Sequence, residues 1–338
     1  MKVAVCGCGG IGGVVAGALG RSRHDVVCIE ANREYADRLN ANGINLTGKK
    51  GELHTPVRAC AGFGSEKGRY DLIIIAVKSD ALRSVFAAAG EHLAPGGFVL
   101  TLQNGLEPLR LCDEFPETRV AGGAVGYNSI MLEYGCYLVT SEGGITVGNL
   151  SNCTKGDLDR LKEIFEPLIE ISMTDNIHGV LWAKLLIVCG ITGLGGASGM
   201  LVGELMKQRV ARRLFYHIVT EGNLVAKRLG VKMEKFGGLL PEKFGVHRGG
   251  YPVLFRYILL KIIGRKYREL KSNIHHSIER RQRTEVDYLN GEIVRRGEEA
   301  GIPTPVNREV VRIVKEIEAK KRCMTVQNLE EIWSKVKG

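Results

Sequence analysis

The chain begins with a glycine-rich segment of the type that binds phosphate groups through its backbone. Gly7-Cys8-Gly9-Gly10-Ile11-Gly12 has the spacing Gly-x-Gly-x-x-Gly, and it lies between an apolar run and a helical pattern. The first glycine permits a tight turn, the second lets the backbone approach a pyrophosphate, and the third lets helix and strand pack closely. The amino end of the helix offers N–H donors to the phosphates. The motif therefore predicts a dinucleotide site formed by Gly7, Cys8, Gly9, Gly10, Ile11 and Gly12.

Glu30 supports this prediction and bears on which cofactor binds. It ends the next predicted strand, 18 residues after Gly12. A carboxylate at that position accepts hydrogen bonds from a ribose 2′-hydroxyl, and its charge repels a 2′-phosphate. The residues therefore favour NAD(H) over NADP(H). NADP(H) stays open, because Arg33 can pair with its 2′-phosphate if the loop folds back.

Two polar residues follow predicted strands. Lys78 comes after an apolar run that ends at Val77, and Asn104 comes after one that ends at Leu102. Open α/β sheets bind ligands in the crevice beyond the carboxyl ends of their strands. Each residue taken alone is equally well explained as a solvated loop residue.

Lys184 is more informative, because it is the one charged residue between Gly179 and Gly203. Burial lowers a lysine pKa, which suits the side chain to donate a proton near neutral pH. Glu285 is the natural counter-charge, although patterning alone favours an exposed helix carboxylate. The apolar stretch around Lys184 is long enough to suggest a membrane span, but its glycines and polar flanks favour a buried helix followed by a loop.

The elements that must position these residues alternate through residues 1–150. Short runs of Val, Ile and Leu are typical of parallel strands buried on both faces, and the segments between them have helical spacing. We therefore predict a doubly wound α/β domain of the Rossmann type. The predicted strands are Val3–Cys6, Val26–Ile29, Leu72–Val77, Phe98–Leu102 and Arg119–Val125, and the helices are Ile11–Leu19, Arg33–Ala41 and Asp80–His92. A hairpin is predicted from Tyr137–Thr140 and Gly144–Val147.

The pattern changes near residue 150, and residues 151–338 are predicted to form an all-α domain for substrate binding and dimerisation. Long helical patterns cover Lys155–Ile169, Val180–Leu194, Arg209–Leu229, Arg268–Arg296 and Arg308–Lys321. Between them lies a basic insertion near residues 236–268, with a short helix predicted from Val253 to Ile263.

Composition agrees with two globular domains and excludes several other classes. The chain has 338 residues with 44% apolar and 25% charged residues, and its 44 glycines follow no collagen-like period. Nine scattered cysteines indicate reduced thiols in a cytoplasmic protein, and they show no metal-ligand spacing. The net charge of +10 suits an acidic partner, and composition alone leaves nucleic acid, anionic membranes and small anionic ligands open.

The motifs together resemble those of the ketopantoate reductase (2-dehydropantoate 2-reductase) family over almost the full length. The matching segments are Gly7–Gly12, Ala76–Lys78, Gln103–Gly105, Leu181–Leu185, Thr284–Gly291 and Gly301–Pro305 with Asn307. The resemblance implies a Rossmann domain followed by a helical domain, with the active site between them and NADP(H) as the expected cofactor. It further implies hydride transfer to a 2-oxo acid. By the same resemblance Lys184 would be the proton donor, Asn104 and Lys78 would border nicotinamide and substrate, and Glu285 would contact substrate or cofactor.

The chain departs from the family where the substrate is held. Family members continue the lysine helix with asparagines that bind pantoate hydroxyl and carboxylate groups, whereas this chain has Val188 and Thr192, with Val202 at a third position. The family's substrate serine is replaced by Asn273, beside Ser272. Apolar groups cannot satisfy a substrate hydroxyl, so the ketopantoate-specific pocket is not retained. The arginine typical of NADPH binding is also absent after the second strand.

The leading hypothesis is therefore a cytoplasmic NAD(P)H-dependent reductase of a small anionic 2-oxo acid. A homodimer is possible, and nucleic acid and membrane partners are disfavoured. One alternative is an opine-type or other hydroxy-acid dehydrogenase, for which no histidine is suitably placed. Another is a non-catalytic NAD-binding regulator that uses the basic segment Phe236–Lys271 as its interaction surface. Its basic residues are Lys243, Arg248, Arg256, Lys261, Arg265, Lys266 and Arg268. A solvated basic face, with a helix covering the pocket or a dimer seam, explains that segment more simply.

Overall fold

A computed structural model describes residues 1–65, 68–166, 168–245 and 252–337. The chain divides into two compact units. The first comprises Met1–Gln103 and Glu107–Ile177, and the second comprises Asn104–Leu106 and His178–Gly338. The first unit therefore extends beyond the boundary predicted at residue 150.

The first unit is the predicted doubly wound α/β domain. Its elements in chain order are β1 (Lys2–Cys6), α1 (Gly10–Leu19), β2 (Asp25–Glu30), α2 (Arg33–Asn42), β3 (Ile44–Gly48), β4 (Leu53–Thr55), β5 (Arg58–Ala61), β6 (Tyr70–Ile75), α3 (Ser79–His92), β7 (Leu93–Thr101), α4 (Glu107–Glu114), β8 (Val120–Val125), β9 (Ser129–Glu133), β10 (Cys136–Val139), β11 (Ile145–Ser151), α5 (Lys155–Phe165) and β12 (Ile171–Met173). The large sheet has the order β12-β11-β8-β7-β6-β1-β2-β5, and a small sheet has the order β4-β3-β10-β9.

The central strand β1 lies where the strand order reverses. It pairs in parallel with β2 on one side and with β6 on the other, so that Cys6 is opposite both Ile29 and Ile75. The carboxyl ends of the three strands therefore emerge at one edge of the sheet, which is where doubly wound sheets bind their ligands. The strands form near-continuous apolar runs, and residues 72–75 of β6 are fully buried because helices and strands cover both faces.

The predicted hairpin after Tyr137 is wrong. β10 lies in the small sheet, where it pairs with β3 and β9, whereas β11 lies in the large sheet between β8 and β12. The connection passes from one sheet to the other at Gly143, whose φ is +150°, and Gly126 N–H donates to the Gly144 carbonyl there. Two runs that are close in sequence therefore never pair with each other.

Residues 151–177 pack with the first unit. β12 pairs in parallel with β11, which adds an edge strand to the large sheet. The predicted helix Lys155–Ile169 ends at Phe165. Glu166 is extended, with φ −73° and ψ 140°, as expected for a residue that precedes a proline.

The second unit is helical, as predicted. Its helices are α6 (Ile177–Val188), α7 (Leu194–Ser198), α8 (Val202–Leu205), α9 (Arg209–Arg228), α10 (Val253–Lys266), α11 (Asn273–Glu279), α12 (Asn290–Ala300), α13 (Pro305–Glu318) and α14 (Gln327–Val336). A π-helical turn at Cys189–Gly193 joins α6 to α7. In the part of this unit that the structure describes, the β contacts are limited to one bridge between Phe236 and Leu239.

The long helix predicted from Arg268 to Arg296 is also wrong. The segment forms α11, a 3₁₀ turn at Val286–Tyr288 and α12. The chain leaves helical geometry at Arg281, where φ is +55°. This break places Glu285 at the start of the 3₁₀ turn rather than on a helix face.

The apolar helical stretch Ile177–Ser198 is long enough to cross a membrane by length and composition alone. Most of it is buried inside the protein. A buried core helix passes the same test, so the stretch carries no further conclusion about membranes.

Candidate active site

The glycine-rich turn has the backbone geometry that its sequence predicts. Gly7 follows β1 with φ +84°, which residues with a side chain rarely adopt. A Cβ on Gly12 would overlap the Gly7 carbonyl oxygen and lie 3.0 Å from the Ala76 Cβ, so this glycine is required for close packing. A Cβ on Gly9 would meet nothing within 4 Å. The turn is therefore packed tightly below Gly12 and open at Gly9.

This geometry fits a dinucleotide. The open space at Gly9 lets a pyrophosphate approach the backbone, and the first N–H groups of α1 have no partner within the helix. Gly10 packs against the Ser129 carbonyl, at 2.9 Å from the position of its missing Cβ, and Ser129 donates its hydroxyl to the Gly10 carbonyl. Ser129 thus fixes the glycine-rich turn at Gly10, while the side of the turn at Gly9 stays accessible.

Glu30 lies against this turn. Its carboxylate accepts a hydrogen bond from the Cys8 N–H, and burial raises its pKa. The Cys8 carbonyl accepts from the hydroxyl groups of Tyr35 and Tyr137. The Cys8 thiol is buried, and none of the nine thiols forms a disulfide. Sequence reasoning missed the two tyrosines, because α2 and β10 bring them to the turn from distant parts of the chain.

Lys78 and Asn104 follow the ends of β6 and β7. Lys78 is exposed at the position before α3. The buried Gln103 side chain donates to the carbonyls of Ile75 at 2.9 Å and Val77 at 3.2 Å, which ties the end of β7 to the segment before Lys78. Gln103 belongs to the family-like segment Gln103–Gly105, and these hydrogen bonds give it a structural role.

Asn104 belongs to the second unit together with Gly105 and Leu106. Gly105 has φ +95°, and a Cβ there would lie 2.7 Å from the Tyr288 carbonyl oxygen. This close approach places the Asn104 segment against the 3₁₀ turn that begins after Glu285. The Asn104 side chain itself is half-buried.

Lys184 lies on α6 and is 7% exposed. Burial lowers its pKa from 10.5 to about 8, and the negative charge of Glu285 opposes part of this shift. Its Nζ lies 5.7 Å from the centre of the Phe236 ring, within the range of a cation–π contact. The charge of Glu285 therefore acts on the Lys184 amine, and the Phe236 ring, which sequence reasoning did not single out, lies close to it.

Two matches now decide the family. The model described as "Ketopantoate reductase PanE/ApbA" matches residues 3–152, and "Ketopantoate reductase PanE/ApbA C terminal" matches residues 176–318. The chain belongs to the ketopantoate reductase family. It is an oxidoreductase of the ketopantoate reductase type, which confirms the resemblance and the fold inferred from its motifs.

Relatives across the family cover nearly the whole chain. The 2-dehydropantoate 2-reductase of Pyrococcus abyssi is 25% identical over 94% of this chain and 98% of its own length. The enzyme of the same name from Archaeoglobus fulgidus is 22% identical over 94% of this chain and 98% of its own. The crystal structure of a PanE/ApbA family ketopantoate reductase from Ralstonia eutropha JMP134 has a TM-score of 0.80 and 27% identity, covering 95% of this chain and 99% of that one.

The same fold occurs in D-mandelate dehydrogenase. Its ternary structure with NADH and anilino(oxo)acetate has a TM-score of 0.81 and 20% identity, and it covers 95% of this chain and 99% of that one. At this level of identity the likeness concerns the fold.

Val188, Thr192 and Val202, the residues predicted to replace the family's substrate asparagines, have different surroundings. Val188 is half-buried at the end of α6, one turn after Lys184, and Thr192 is buried in the π-helical turn. Such turns often occur at functional sites. Val202 is buried in α8 and belongs to the apolar core.

Ser272 and Asn273 also differ in burial, since Ser272 is buried and Asn273 is exposed. The buried Ser272 caps α11, because its side-chain oxygen accepts the His275 N–H at 3.2 Å. Asn273 is exposed at the first position of that helix.

A buried polar network lies behind the turn that follows the lysine helix, and sequence reasoning missed it. The Glu221 carboxylate on α9 accepts hydrogen bonds from the Val306 N–H, the Asn307 N–H and the Asn307 side chain. Asn307 in turn accepts from the Asn290 side chain at 2.9 Å. A Cβ on Gly193, in the π-helical turn, would lie 2.5 Å from Asn290 Oδ1. The network therefore packs directly behind the turn that follows Lys184.

The basic residues of the segment Phe236–Lys271 differ in burial, so the segment is not a uniformly solvated face. Arg256 is 8% exposed, and its guanidinium donates to the carbonyls of Phe244 and Gly245. Lys243, Lys261, Arg265, Lys266 and Arg268 are exposed, and Arg248 lies outside the described residues. Across the described ranges, no group of three or more His, Cys, Asp or Glu side chains is arranged to hold a metal ion.

Proposed function

We propose that this family member reduces a 2-oxo acid to the 2-hydroxy acid with a nicotinamide cofactor, and that Lys184 is the proton donor. One observation carries the proposal. Lys184 is buried on an otherwise apolar helix, and its pKa is lowered to about 8. A lysine with that pKa is protonated at neutral pH and can release its proton during turnover, whereas an ordinary lysine holds it too tightly.

Each of the other polar residues has a role in this proposal. A bound nicotinamide supplies the hydride. Lys184 donates a proton to the substrate oxygen, and the Glu285 charge favours the ammonium form that does so. Asn104 and Lys78 orient the substrate and the nicotinamide. Ser272 binds the carboxylate through its hydroxyl group, whose oxygen also accepts the His275 N–H, and Asn273 extends this contact.

The cofactor site consists of residues Gly7–Gly12 and Glu30. We propose NAD(H) as the preferred cofactor, because the Glu30 carboxylate beside the turn repels a 2′-phosphate and accepts from a 2′-hydroxyl. NADP(H) is the family expectation and is the alternative. A cytoplasmic location and a homodimer remain predictions.

The first test is oxidation of NADH and NADPH against a panel of 2-oxo acids that includes ketopantoate. We expect Lys184→Met, which keeps the side-chain length without the amine, to lower kcat by roughly 10²–10⁴-fold. The Kd for NADH should change by less than about twofold, since the glycine-rich turn is intact. Unchanged turnover in this variant contradicts the mechanism, and NADH binding without turnover of any 2-oxo acid favours the regulator.

The second test addresses the cofactor. Glu30→Gln removes the charge while keeping the shape, so the preference for NADH over NADPH should fall by about tenfold. The matched control is Glu34→Gln, an exposed carboxylate on α2 that pairs with Arg38, which should leave the preference unchanged. If the wild-type chain works best with ketopantoate and NADPH, the interpretations of Glu30 and Val188 are both wrong.

A further inference from the structure

An aromatic ring lies over the amine of Lys184. The Phe236 ring centre is 5.7 Å from Nζ, and an ammonium within about 6 Å of a ring centre is attracted to its negative face. Phe236 is far from α6 in sequence, in a stretch rich in glycine and basic residues. The mechanism above uses Lys184 and Glu285 and assigns nothing to this ring.

The ring is held in place by a tight turn. Phe236 and Leu239 exchange two backbone hydrogen bonds, at 2.8 and 3.0 Å. The two residues between them, Gly237 and Gly238, have φ +57° and +78°, as a two-residue type I′ turn requires. The Glu234 N–H just before the turn donates to the Gly179 carbonyl at 3.3 Å. The turn is therefore attached to the first part of the lysine helix.

A ring face and one negative charge act on the Lys184 amine. Glu285 is the charged group that acts on its pKa. Val188 lies one helical turn further along α6, and side chains four residues apart lie on the same face of a helix. Phe236 and Val188 are both half-buried, so part of each surface is still accessible. Neither a ring face nor valine methyl groups can satisfy a hydroxyl group.

We propose that Phe236 is a specificity-determining residue that selects 2-oxo acids with an apolar side chain over those whose side chain carries a hydroxyl. The inference rests on the proposed function, because a substrate oxygen that reaches the Lys184 amine brings its side chain close to the ring. A hydroxyl placed there loses its water without gaining a partner, whereas a methyl group gains contact. The ring also keeps water from the amine, and this burial, which lowers the pKa of Lys184, opposes the attraction between the ring and the ammonium.

The experiment compares two substrates that differ in one group. They are ketopantoate and the analogue in which a methyl replaces its hydroxyl. The wild-type chain should favour the methyl analogue by roughly tenfold or more in kcat/KM. Phe236→Leu, the apolar control, should keep this ratio, whereas Phe236→Tyr and Phe236→Asn, which offer a hydrogen-bond partner, should lower it several-fold.

A second readout needs no cofactor or turnover. The pKa of Lys184 is measured from the pH dependence of amine modification in the purified chain, followed by mass spectrometry. Phe236→Ala should raise it from about 8 towards the usual value, because water then reaches the amine. Phe236→Leu should not raise it, which separates shielding from a general loss of structure.

The outcomes distinguish the two proposals. If the wild-type chain reduces both substrates equally well, or if Phe236→Asn leaves their ratio unchanged, the specificity role is overturned while the reductase function stands. If the wild-type chain reduces no 2-oxo acid, both proposals fail. Lower ratios in the tyrosine and asparagine variants, together with a raised Lys184 pKa in the alanine variant, support the inference.

Discussion

The two candidate regions of this protein are built in opposite ways. The glycine-rich turn in the first unit is a backbone site, in which six consecutive residues and one carboxylate provide most of the geometry. The lysine region in the second unit is a side-chain site, assembled from α6, the turn at Phe236, the 3₁₀ turn after Glu285 and the segment of Asn104. The glycine-rich turn depends on the absence of Cβ atoms at its glycines. The lysine region depends on side chains that distant segments of the chain bring close to one another.

This difference predicts how each region responds to substitution. A backbone site fails when a Cβ intrudes, even though no functional group is removed. A side-chain site tolerates small changes nearby but fails when the support behind it is lost. Substitutions in the two regions therefore test the comparison directly.

The largest effect on stability is expected for Gly12→Ala. Its Cβ would overlap the Gly7 carbonyl oxygen, so the turn or α1 must move. We expect the free energy of unfolding to fall by about 3 kcal/mol and the Kd for NADH to rise by roughly 100-fold or more. Thermal or urea unfolding and NADH fluorescence titration measure the two quantities.

Gly9→Ala is the matched control, because a Cβ there meets nothing within 4 Å. Its stability should stay within about 0.5 kcal/mol of the wild type, while the Kd for NADH still rises, since the methyl group occupies the path of the pyrophosphate. Equal losses of stability in the two variants would contradict the distinction between packing and ligand approach.

These differences also explain what the sequence could predict. The turn, Glu30 and the parallel strands were readable because their geometry depends on local spacing and on runs of apolar residues. Lys184 stood out as one charge in an apolar stretch. The break that places Glu285 before a 3₁₀ turn was missed, because residues 268–296 keep a helical pattern through Arg281 despite its left-handed backbone.

The remaining features depend on tertiary contacts. The small sheet joins β3 and β4 to β9 and β10 across about ninety residues of chain, and its short strands have no distinctive pattern. Phe236 reaches Lys184 only because the following glycines form a turn that packs on α6. The polar network behind the π-helical turn joins three helices through Glu221, Asn290 and Asn307. The spacing of residues along the chain does not predict such tertiary contacts.

The second prediction concerns that network. Asn307→Leu removes the hydrogen bonds that the side chain makes to Glu221 and Asn290, and it leaves buried polar groups without partners. We expect a loss of about 2 kcal/mol in the free energy of unfolding and a several-fold lower kcat, because the support of the turn after Lys184 is weakened. The Kd for NADH should not change.

A double-mutant cycle with Asn290→Leu provides the control for this prediction. Since the two asparagines share one hydrogen bond, the loss in the double variant should be smaller than the sum of the single losses. Additive losses would show that Asn290 and Asn307 act independently, and an altered Kd for NADH would show that the network does not serve the lysine region alone.

The smallest effect is expected for the charge beside the amine. In the proposed mechanism the ammonium form of Lys184 is the proton donor, so kcat should fall as the pH rises through its pKa of about 8. The Glu285 carboxylate raises this pKa, so Glu285→Gln should lower it and move the falling limb of the pH profile to lower pH. Near the wild-type pKa we expect a loss of roughly two- to fivefold in kcat.

Asp287→Asn is the matched control for this last change. Asp287 lies two residues further along the same 3₁₀ turn and pairs with Lys315 at 2.5 Å, so its substitution removes the same charge without acting on Lys184. Its pH profile should coincide with that of the wild type. If both variants shift the profile equally, the field at Lys184 is set by the charge of the whole turn rather than by Glu285 alone.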